Sequence, residues 1–355
     1  MMNHPLKPWN LEKASAWHEK QPWLIGCNYC PAYAINQLEM WQPETFSLKA
    51  IERELQLAAK LGFNSLRVFL HHLPFMADSE GFLKRIEQFL DLAEAHGIGI
   101  MPVFFDCVWH PFPRLGPQRD PEPGLHNSGW VQCPGIEVLQ DPARFFALEE
   151  YVGTIVSRFA NDPRVQCWDL WNEPGNSNGF SYSDRDIDVG KTMLVLPYLA
   201  LAFQWARQQK PSQPITTGVW RDDPWEDSVT LDPLYRLQLE QSDVISFHCY
   251  GGPEKLQRLI NQLRLWGRPL LCTEYMARGN GSTFESEIPI LHKEKVHAYN
   301  WGFVAGRTQT IYPWNSWKHP YHNEPDVYHH DIFRADHTPF DQDEVDLIGQ
   351  YTKKP

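Results

Sequence analysis

The sequence predicts a single (β/α)8 barrel with long loops after its strands. Short apolar runs rich in β-formers alternate with longer segments that repeat apolar residues at helical spacing. Eight such units follow one another, and no linker, charge block or shift of composition interrupts them. Eight strand-helix units are what one closed barrel needs, and 355 residues are enough to build it. We therefore expect one domain rather than two.

Each predicted strand is a short run of Val, Ile, Leu, Phe, Trp or Cys between turn residues. The third run is continuously apolar, as parallel strands are when helices or side chains cover both of their faces. The fourth run breaks at an Asn-Glu-Pro turn. In chain order, the predicted strands cover residues 23–29, 63–69, 98–105, 165–175, 214–220, 243–250, 269–275 and 301–305.

The predicted helices lie between these strands and start or stop at capping residues. Ser47 precedes one helix and Gly62 ends it, while Asp141 followed by Pro142 is a favourable start for another. The predicted helical segments cover residues 47–62, 79–96, 142–161, 194–209, 231–240, 254–266 and 285–299.

Three segments depart from this alternation. Residues 1–22 are polar with scattered Trp, and we expect a lead-in across one end of a barrel that spans 23–318. Residues 319–355 are rich in His, Asp and Pro, and we expect an extension packed on the outside. The loop at 106–140 is rich in proline and carries Trp and His. Long loops in compact domains are functional or disordered, and these aromatics favour function.

Composition limits the possible partners. A net charge of −12 argues against nucleic acid and anionic membranes, both of which need basic patches. The chain has 15 Trp, 13 Tyr and 19 Phe, which suits a neutral sugar because flat aromatic faces pack against pyranose rings. No apolar leader or membrane span is present, so we expect a cytoplasmic protein, or a secreted one if a leader precedes this sequence. Of the seven cysteines, Cys27, Cys167, Cys249 and Cys272 look like reduced core residues, because they fall inside apolar strand-like runs. The pair Cys27 and Cys30 lacks the second pair that a zinc site requires.

Two glutamates end predicted strands of the barrel. Glu173 follows strand four between aromatic residues and a proline, a poorly solvated position that raises the pKa of a carboxyl and suits it to proton donation. Glu274 ends strand seven. The carboxyl ends of barrel strands meet at one face, so the two acids are expected to face each other. Carboxyls about 5 to 5.5 Å apart permit double displacement with retention of configuration.

Three short motifs carry a family resemblance. Trp-Asn-Glu-Pro at 171–174, His-Cys-Tyr at 248–250 and Thr-Glu-Tyr at 273–275 resemble the clan A glycoside hydrolases, closest in pattern to the cellulase-like and mannanase-like barrels of family five. The resemblance implies that Glu173 is the general acid/base and Glu274 the nucleophile. It also implies that Asn172 holds the substrate 2-hydroxyl, that Arg67 and Tyr250 hydrogen-bond the nucleophile, and that His248 supports the subsite.

Further site residues are predicted from their place at the barrel mouth. Trp314 is the expected sugar platform, with Trp317 as the second choice. The remaining candidates are Trp171, Trp109, His110 and Trp220. Arg67 is also compatible with a structural ion pair, His248 with an ordinary core histidine, and Trp130, Trp220 and Trp225 with loop packing. The doublets at 71–72 and 329–330 are expected to be surface or loop histidines.

Together these features predict a retaining glycoside hydrolase that cleaves a β-linked oligosaccharide or polysaccharide of the mannan, glucan or xylan type. The loop at 106–140 would make it exo-acting if it closes one end of the cleft into a pocket. No metal or cofactor is required for the two-glutamate mechanism. Two alternatives remain: a sugar-binding barrel without catalysis, and a transglycosylase that uses the same carboxylates.

Overall fold

Eight parallel strands surround the centre of the molecule. The computed structural model describes residues 6–179, 181–182, 184–187, 189–227 and 229–352. Within this part of the chain the strands are β1 Ile25–Tyr29, β2 Ser65–Phe69, β3 Gly99–Asp106, β4 Trp168–Asn172, β5 Ile215–Thr216, β6 Ile245–Cys249, β7 Leu270–Tyr275 and β8 His297–Trp301. Continuous ladders join them in the order β5-β4-β3-β2-β1-β8-β7-β6.

Backbone hydrogen bonds close the barrel between β5 and β6. Asp243 N donates to Ile215 O at 2.8 Å, and His248 N donates to Val219 O at 2.9 Å. A parallel bridge also links Val219 with Phe247. These contacts complete the circle, so the predicted (β/α)8 barrel is confirmed.

Helices cover the outside of the barrel. They are α1 Leu11–Lys20, α2 Gln37–Trp41, α3 Leu48–Leu61, α4 His72–Ala77, α5 Ser79–Ala95, α6 Ile136–Leu139, α7 Pro142–Phe146, α8 Leu148–Arg158, α9 Lys191–Gln208, α10 Pro233–Gln241, α11 Pro253–Arg264, α12 Phe284–Lys293 and α13 Gln342–Thr352. The predicted caps form, since the Asp141 side chain accepts from Ala143 N at 3.0 Å and Gly62 takes a left-handed φ of 87°. Among the described residues, no helix is both long enough and apolar enough to cross a membrane.

The eighth strand lies earlier in the chain than the sequence pattern suggests. It was predicted at 301–305, after a helix that continued to 299, but α12 ends at Lys293 and β8 is His297–Trp301. Lys295 breaks the helix with a left-handed φ of 54°, and the chain then pairs with β1, Ala298 opposite Ile25. The correction matters for the site, because Trp301 becomes the last residue of a barrel strand.

The core has an inner and an outer part. Early strand residues fill the barrel interior, and they include Met101, Cys167 and Leu271. A larger cluster packs the outer faces of the strands against the helices. All seven cysteines are free thiols in the described structure. The two histidine doublets were expected to be surface or loop residues. The doublet at 329–330 lies in a loop, but both doublets are buried, because α4 and the segment after residue 302 pack them against the barrel.

Candidate active site

The two predicted catalytic glutamates converge at the carboxyl end of the barrel. Glu173 directly follows β4, and Glu274 lies in β7. A carboxylate oxygen of each, together with a ring nitrogen of His248, lies within 4.8 Å of the others. Carboxyls of inverting glycosidases stand about 6.5 to 9.5 Å apart to admit a water, whereas retaining enzymes hold them about 5 to 5.5 Å apart. Oxygens within 4.8 Å are closer than the inverting arrangement requires and are compatible with the retaining one.

Glu274 is anchored at both oxygens. Arg67 Nη1 donates to Oε1 at 3.0 Å, and the Tyr250 hydroxyl donates to Oε2 at 2.7 Å. Arg67 itself is fully buried, and its Nε donates to Asp169 Oδ2 at 3.0 Å. Asn28 Oδ1 accepts a further bond from Nη1 at 2.7 Å. The guanidinium therefore sits in a rigid polar cradle, where its positive charge favours the ionised form of Glu274.

Glu173 has a different environment. Asn176 Nδ2 donates to its Oε2 at 2.6 Å, and His248 Nδ1 lies 2.9 Å from its Oε1. Its backbone has a left-handed φ of 45°, which is uncommon for a residue with a side chain and is held here by the turn that ends β4. Burial raises the pKa of Glu173 to about 7. The carboxyl is thus poised to carry a proton near neutral pH.

One proton is shared unequally between the two acids. Burial raises the pKa of Glu274 too, and the nearby Glu173 charge adds to that rise, while His248, Arg67 and Tyr250 oppose it. Two carboxylates this close do not both ionise easily. Because Arg67 contacts Glu274, we place the proton on Glu173. Burial lowers the pKa of His248 to about 4, so its ring is neutral at the same pH.

Asn172 is fixed in a single orientation. Its Oδ1 accepts from Arg67 Nη2 at 2.8 Å, and its Nδ2 donates to Asp106 Oδ1 at 3.0 Å. Asp106 in turn accepts from Trp130 Nε1 at 2.7 Å. An amide nitrogen has two hydrogens, so one remains for a ligand. Asn172 thereby presents a preset donor beside Glu173.

A cavity of about 350 Å³ lies above these groups. It is in the size range of small-molecule sites, about 300 to 1,000 Å³. Its walls are partly aromatic, as the predicted sugar site requires, and partly amide. Its lining includes Trp109, His126, Asn127, Asn172, Glu173, Asn176, Trp220, His248, Tyr250, Glu274, Trp301 and Trp314.

Besides Arg67, which lies beneath Glu274, two predicted site residues lie outside this lining. Trp171 was expected on the same face as Glu173, but strict alternation fails at the end of β4. Its ring packs outward at 4.9 Å from Phe105, and its indole nitrogen contacts Cys107 Sγ at 3.2 Å. His110 packs its ring at 5.2 Å against Tyr182. Both side chains therefore pack behind the cavity walls and do not face a ligand.

Of the aromatic residues whose roles were open, some line the cavity and others pack behind it. Trp220 and Trp314 line the cavity. Trp317, the second choice as a platform, stacks on Trp109 at 5.9 Å and does not line the cavity. Trp130 and Trp225 are buried in loop packing.

Several functional residues escaped the sequence analysis. Trp301 was missed because β8 was placed too late, although an aromatic residue at a strand end was the available signal. Asn176 stands three residues after Glu173 in a polar turn. Asp169 lies two residues before Trp171 on the inward face of β4, where a buried acid calls for a cation. Asn127 gave no local signal.

Among the described residues, two clusters of side chains offer metal-ligating atoms. One is Glu173, His248 and Glu274 themselves, but Arg67 and Tyr250 already occupy the oxygens of Glu274. The other is formed by the buried groups of His71, His72 and Cys133. Both ring nitrogens of His71 are engaged, one by Leu73 N at 3.1 Å and one by Gln132 O at 3.1 Å. Cation binding at either cluster would displace existing hydrogen bonds.

Comparison with known proteins identifies solved structures of similar fold. No family model matches the sequence, and no curated protein matches it either. Solved structures do match.

An exo-β-1,4-mannosidase from Opitutaceae bacterium strain TAV5 has a TM-score of 0.60 at 17% identity, over 93% of this chain and 58% of that one. The chain thus spans little more than half of that protein. A GH5_18 protein from Streptomyces cattleya in complex with GlcNAc gives 0.60 at 14% identity, over 94% and 81% of the two chains. A β-1,4-mannanase from the sea hare Aplysia kurodai gives 0.55 at 16%, over 79% and 88%. The predicted resemblance to the family five barrels of clan A is therefore confirmed at the level of the fold.

Proposed function

We propose that the protein is an exo-acting, retaining β-glycosidase that removes a terminal β-mannosyl unit from a short β-linked oligosaccharide. The observation that carries this proposal is the unequal pair of glutamates. Glu274 accepts hydrogen bonds from Arg67 and Tyr250, whereas Glu173, which has an oxygen within 4.8 Å of it, is held by Asn176 and His248 and has a pKa raised to about 7 by burial.

In the first step, Glu274 attacks the anomeric carbon and forms an ester with it. The glycosidic C–O bond breaks, and Glu173 gives its proton to the departing oxygen. Asn172 directs its free amide hydrogen at the sugar, where a hydrogen bond to the 2-hydroxyl strengthens in the transition state. Arg67 loses a charged partner as Glu274 becomes an ester, but it keeps Asp169.

In the second step, Glu173 acts as a base. It is ionised after the first step, and the donors at Asn176 and His248 stabilise that charge. It takes a proton from a water molecule, whose oxygen attacks the anomeric carbon. The ester bond to Glu274 breaks, the carboxylate returns beside Arg67, and the sugar leaves with its original configuration.

The closed side of the cavity supports exo action. The loop at 106–140 is tied to the chain after β8. Asn127 N donates to Thr308 O at 2.9 Å, and Trp317 Nε1 donates to His126 O at 2.9 Å. The Trp109 and Trp317 rings stack across the same junction. Together these contacts build a wall over one side of the barrel mouth, which supports a pocket rather than an open cleft.

Glu173 protonates the leaving oxygen, so we place the leaving group on its side, where Asn176 and Trp220 line the cavity. Trp301 lines the same cavity. Beyond Trp301, a second cavity has only about 20 Å³, room for one water molecule. A second sugar unit does not fit there, which supports removal of one terminal unit at a time.

The choice of mannose rests on the structural neighbours. Their names describe an exo-β-1,4-mannosidase and β-1,4-mannanases, and a GH5_18 protein was solved in complex with Manβ1-4GlcNAc. The aromatic walls and the absence of an unpaired cationic side chain among the described lining residues are compatible with such a neutral substrate. Mannose is therefore the first sugar to test.

The test measures release from p-nitrophenyl β-glycosides and from β-linked mannan, xylan and glucan oligosaccharides. Wild type should release mannose, first as the β-anomer by NMR, and Glu173→Ala and Glu274→Ala should each lose several orders of magnitude in kcat/KM on the oligosaccharides. Added azide should restore turnover in both variants, giving the β-glycosyl azide with Glu173→Ala and the α-glycosyl azide with Glu274→Ala. Wild type that binds these sugars without cleaving any of them would favour the non-catalytic barrel, and transfer to an added alcohol would favour the transglycosylase.

A further inference from the structure

Asn127 is an unusual residue in the wall of the cavity. It is fully buried, and both Oδ1 and Nδ2 lack a hydrogen-bond partner among the described residues. Its backbone is left-handed, with a φ of 52°. Buried amides are nearly always paired, because an unsatisfied group costs about 1 to 3 kcal/mol. A side chain that lines a cavity and has both groups unpaired is therefore prepared for a ligand.

The preceding residue, His126, offers a complementary group. Its Nδ1 lies 2.8 Å from Tyr312 O, and a carbonyl only accepts, so Nδ1 carries the ring proton. Burial lowers the pKa of His126 to about 3, which keeps the ring neutral. The second ring nitrogen, Nε2, is consequently an acceptor without a proton. His126 also lines the cavity, and its backbone is held by Ser316 Oγ and Trp317 Nε1.

The two side chains thus present two acceptors and one donor on a rigid wall. A hydroxyl group both donates and accepts. One sugar hydroxyl can donate a hydrogen bond to Nε2 of His126. A neighbouring hydroxyl can donate to Oδ1 of Asn127 and accept from its Nδ2. Neither side chain is charged, so the pair offers nothing that would favour an acidic sugar.

We infer that His126 and Asn127 bind two neighbouring hydroxyls of the terminal sugar and thereby select a chain end whose hydroxyls are unsubstituted. This inference rests on the proposed function and names the part of the substrate that the closed wall recognises. A further sugar on either hydroxyl would remove the donor and collide with a buried wall. The pair therefore determines specificity for the non-reducing end.

The experiment compares p-nitrophenyl β-mannoside with its 3-deoxy, 4-deoxy and 6-deoxy analogues. The variant is Asn127→Gly, because glycine accepts the left-handed backbone while removing the amide. Lys210→Gly is the matched control, since Lys210 has a φ of 51° on the exposed surface far from the site. In wild type, two adjacent deoxygenations should each lower kcat/KM about 10- to 100-fold.

Asn127→Gly should lower kcat/KM for the parent glycoside by about the same 10- to 100-fold and should show no further decrease with one of those two deoxy analogues. In His126→Phe, the other deoxy analogue should have the same kcat/KM as the parent glycoside. Asn127→Asp, which keeps the shape and removes the donor, serves if Asn127→Gly does not fold. If each deoxygenation costs the variants as much as it costs wild type, the hydroxyls do not contact this pair and the inference fails.

A failure of this hydroxyl subsite can be distinguished from a failure of the proposed function. If wild type cleaves no glycoside, calorimetry measures the binding of methyl β-mannoside and its deoxy analogues to wild type and Asn127→Gly. Tighter binding by wild type, lost on the same deoxygenation, still supports the hydroxyl subsite. Equal binding by both proteins, or no binding by either, overturns it.

Discussion

Replacing Asn176 with alanine should move the alkaline limb of the activity profile to higher pH. Glu173 must be protonated to act as an acid, so kcat/KM falls as pH rises through its pKa, about 7. Asn176 Nδ2 donates to Oε2 of Glu173 at 2.6 Å, and such a bond favours the ionised carboxylate. Its loss therefore raises the pKa, and the acid keeps its proton to higher pH.

The size of the shift follows from the hydrogen bond and from access to water. A bond to a charged group contributes about 1.5 to 3 kcal/mol, and one pKa unit corresponds to about 1.4 kcal/mol, so complete loss would shift the limb by about one to two units. The Glu173 side chain is 13% exposed, and a water molecule can take the place of the amide. We therefore expect the lower end, a shift of about one unit.

The assay records kcat/KM against pH for two aryl glycosides. A phenyl glycoside needs its leaving oxygen protonated and should show the shift, whereas a 2,4-dinitrophenyl glycoside leaves without a proton and should show no alkaline limb in either protein. Asn261→Ala is the control, because Asn261 is an exposed asparagine on α11. An unchanged limb with the phenyl glycoside, or a limb moved to lower pH, would refute this account of the acid.

Three further outcomes are expected. Glu173→Gln should raise the melting temperature by about 4 °C at pH 8 and leave it unchanged at pH 4 in calorimetry. The folded-state pKa is raised from 4.5 to about 7, so ionisation above pH 7 costs about 3 kcal/mol, and both states are protonated below pH 4.5. Asp169→Asn should lower the free energy of unfolding by about 3 to 5 kcal/mol in denaturant titration, because Arg67 loses a buried partner at 2.9 Å. Trp317→Ala, which removes the ring stacked on Trp109, should open the closed wall, so that products longer than one unit appear from mannohexaose in chromatography; mannose as the sole product would contradict the proposed wall.

Local patterns predicted the barrel because its strands and helices carry their signals within a few residues. Strand β8 was the exception. Apolar residues continue at helical spacing past Lys293, and only the left-handed turn at Lys295 and the pairing with β1 stop the helix. A pattern within one segment does not contain its pairing partner. The same limit explains Trp171, whose outward rotation depends on packing against Phe105 and α7.

The position of the proposed catalytic pair was predictable from sequence, and the wall around the cavity was not. Glu173 directly follows β4 and Glu274 lies near the end of β7, so barrel geometry alone brings them to one face. Asn127 lies in a loop without a secondary-structure pattern, and the residue reaches the cavity only because Thr308 and Trp317 hold that loop. Those contacts join segments more than 180 residues apart. They exist only once the barrel has formed.

Charge balance explains why the acid is Glu173 and not its partner. Three carboxyls, Glu173, Glu274 and Asp169, lie around a single buried cation, Arg67. Arg67 contacts Asp169 at 2.9 Å and Glu274 at 3.0 Å, whereas hydrogen bonds from neutral groups support Glu173. A third negative charge in this buried site is the most costly one, because no cation remains to offset it. The proton therefore resides on the carboxyl farthest from the guanidinium's donors, and burial supplies the rest of the pKa shift. Removing Asp169 would leave Glu274 as the only carboxylate paired with Arg67. The Arg67–Asp169 ion pair therefore influences which glutamate carries the proton as well as the stability of the fold.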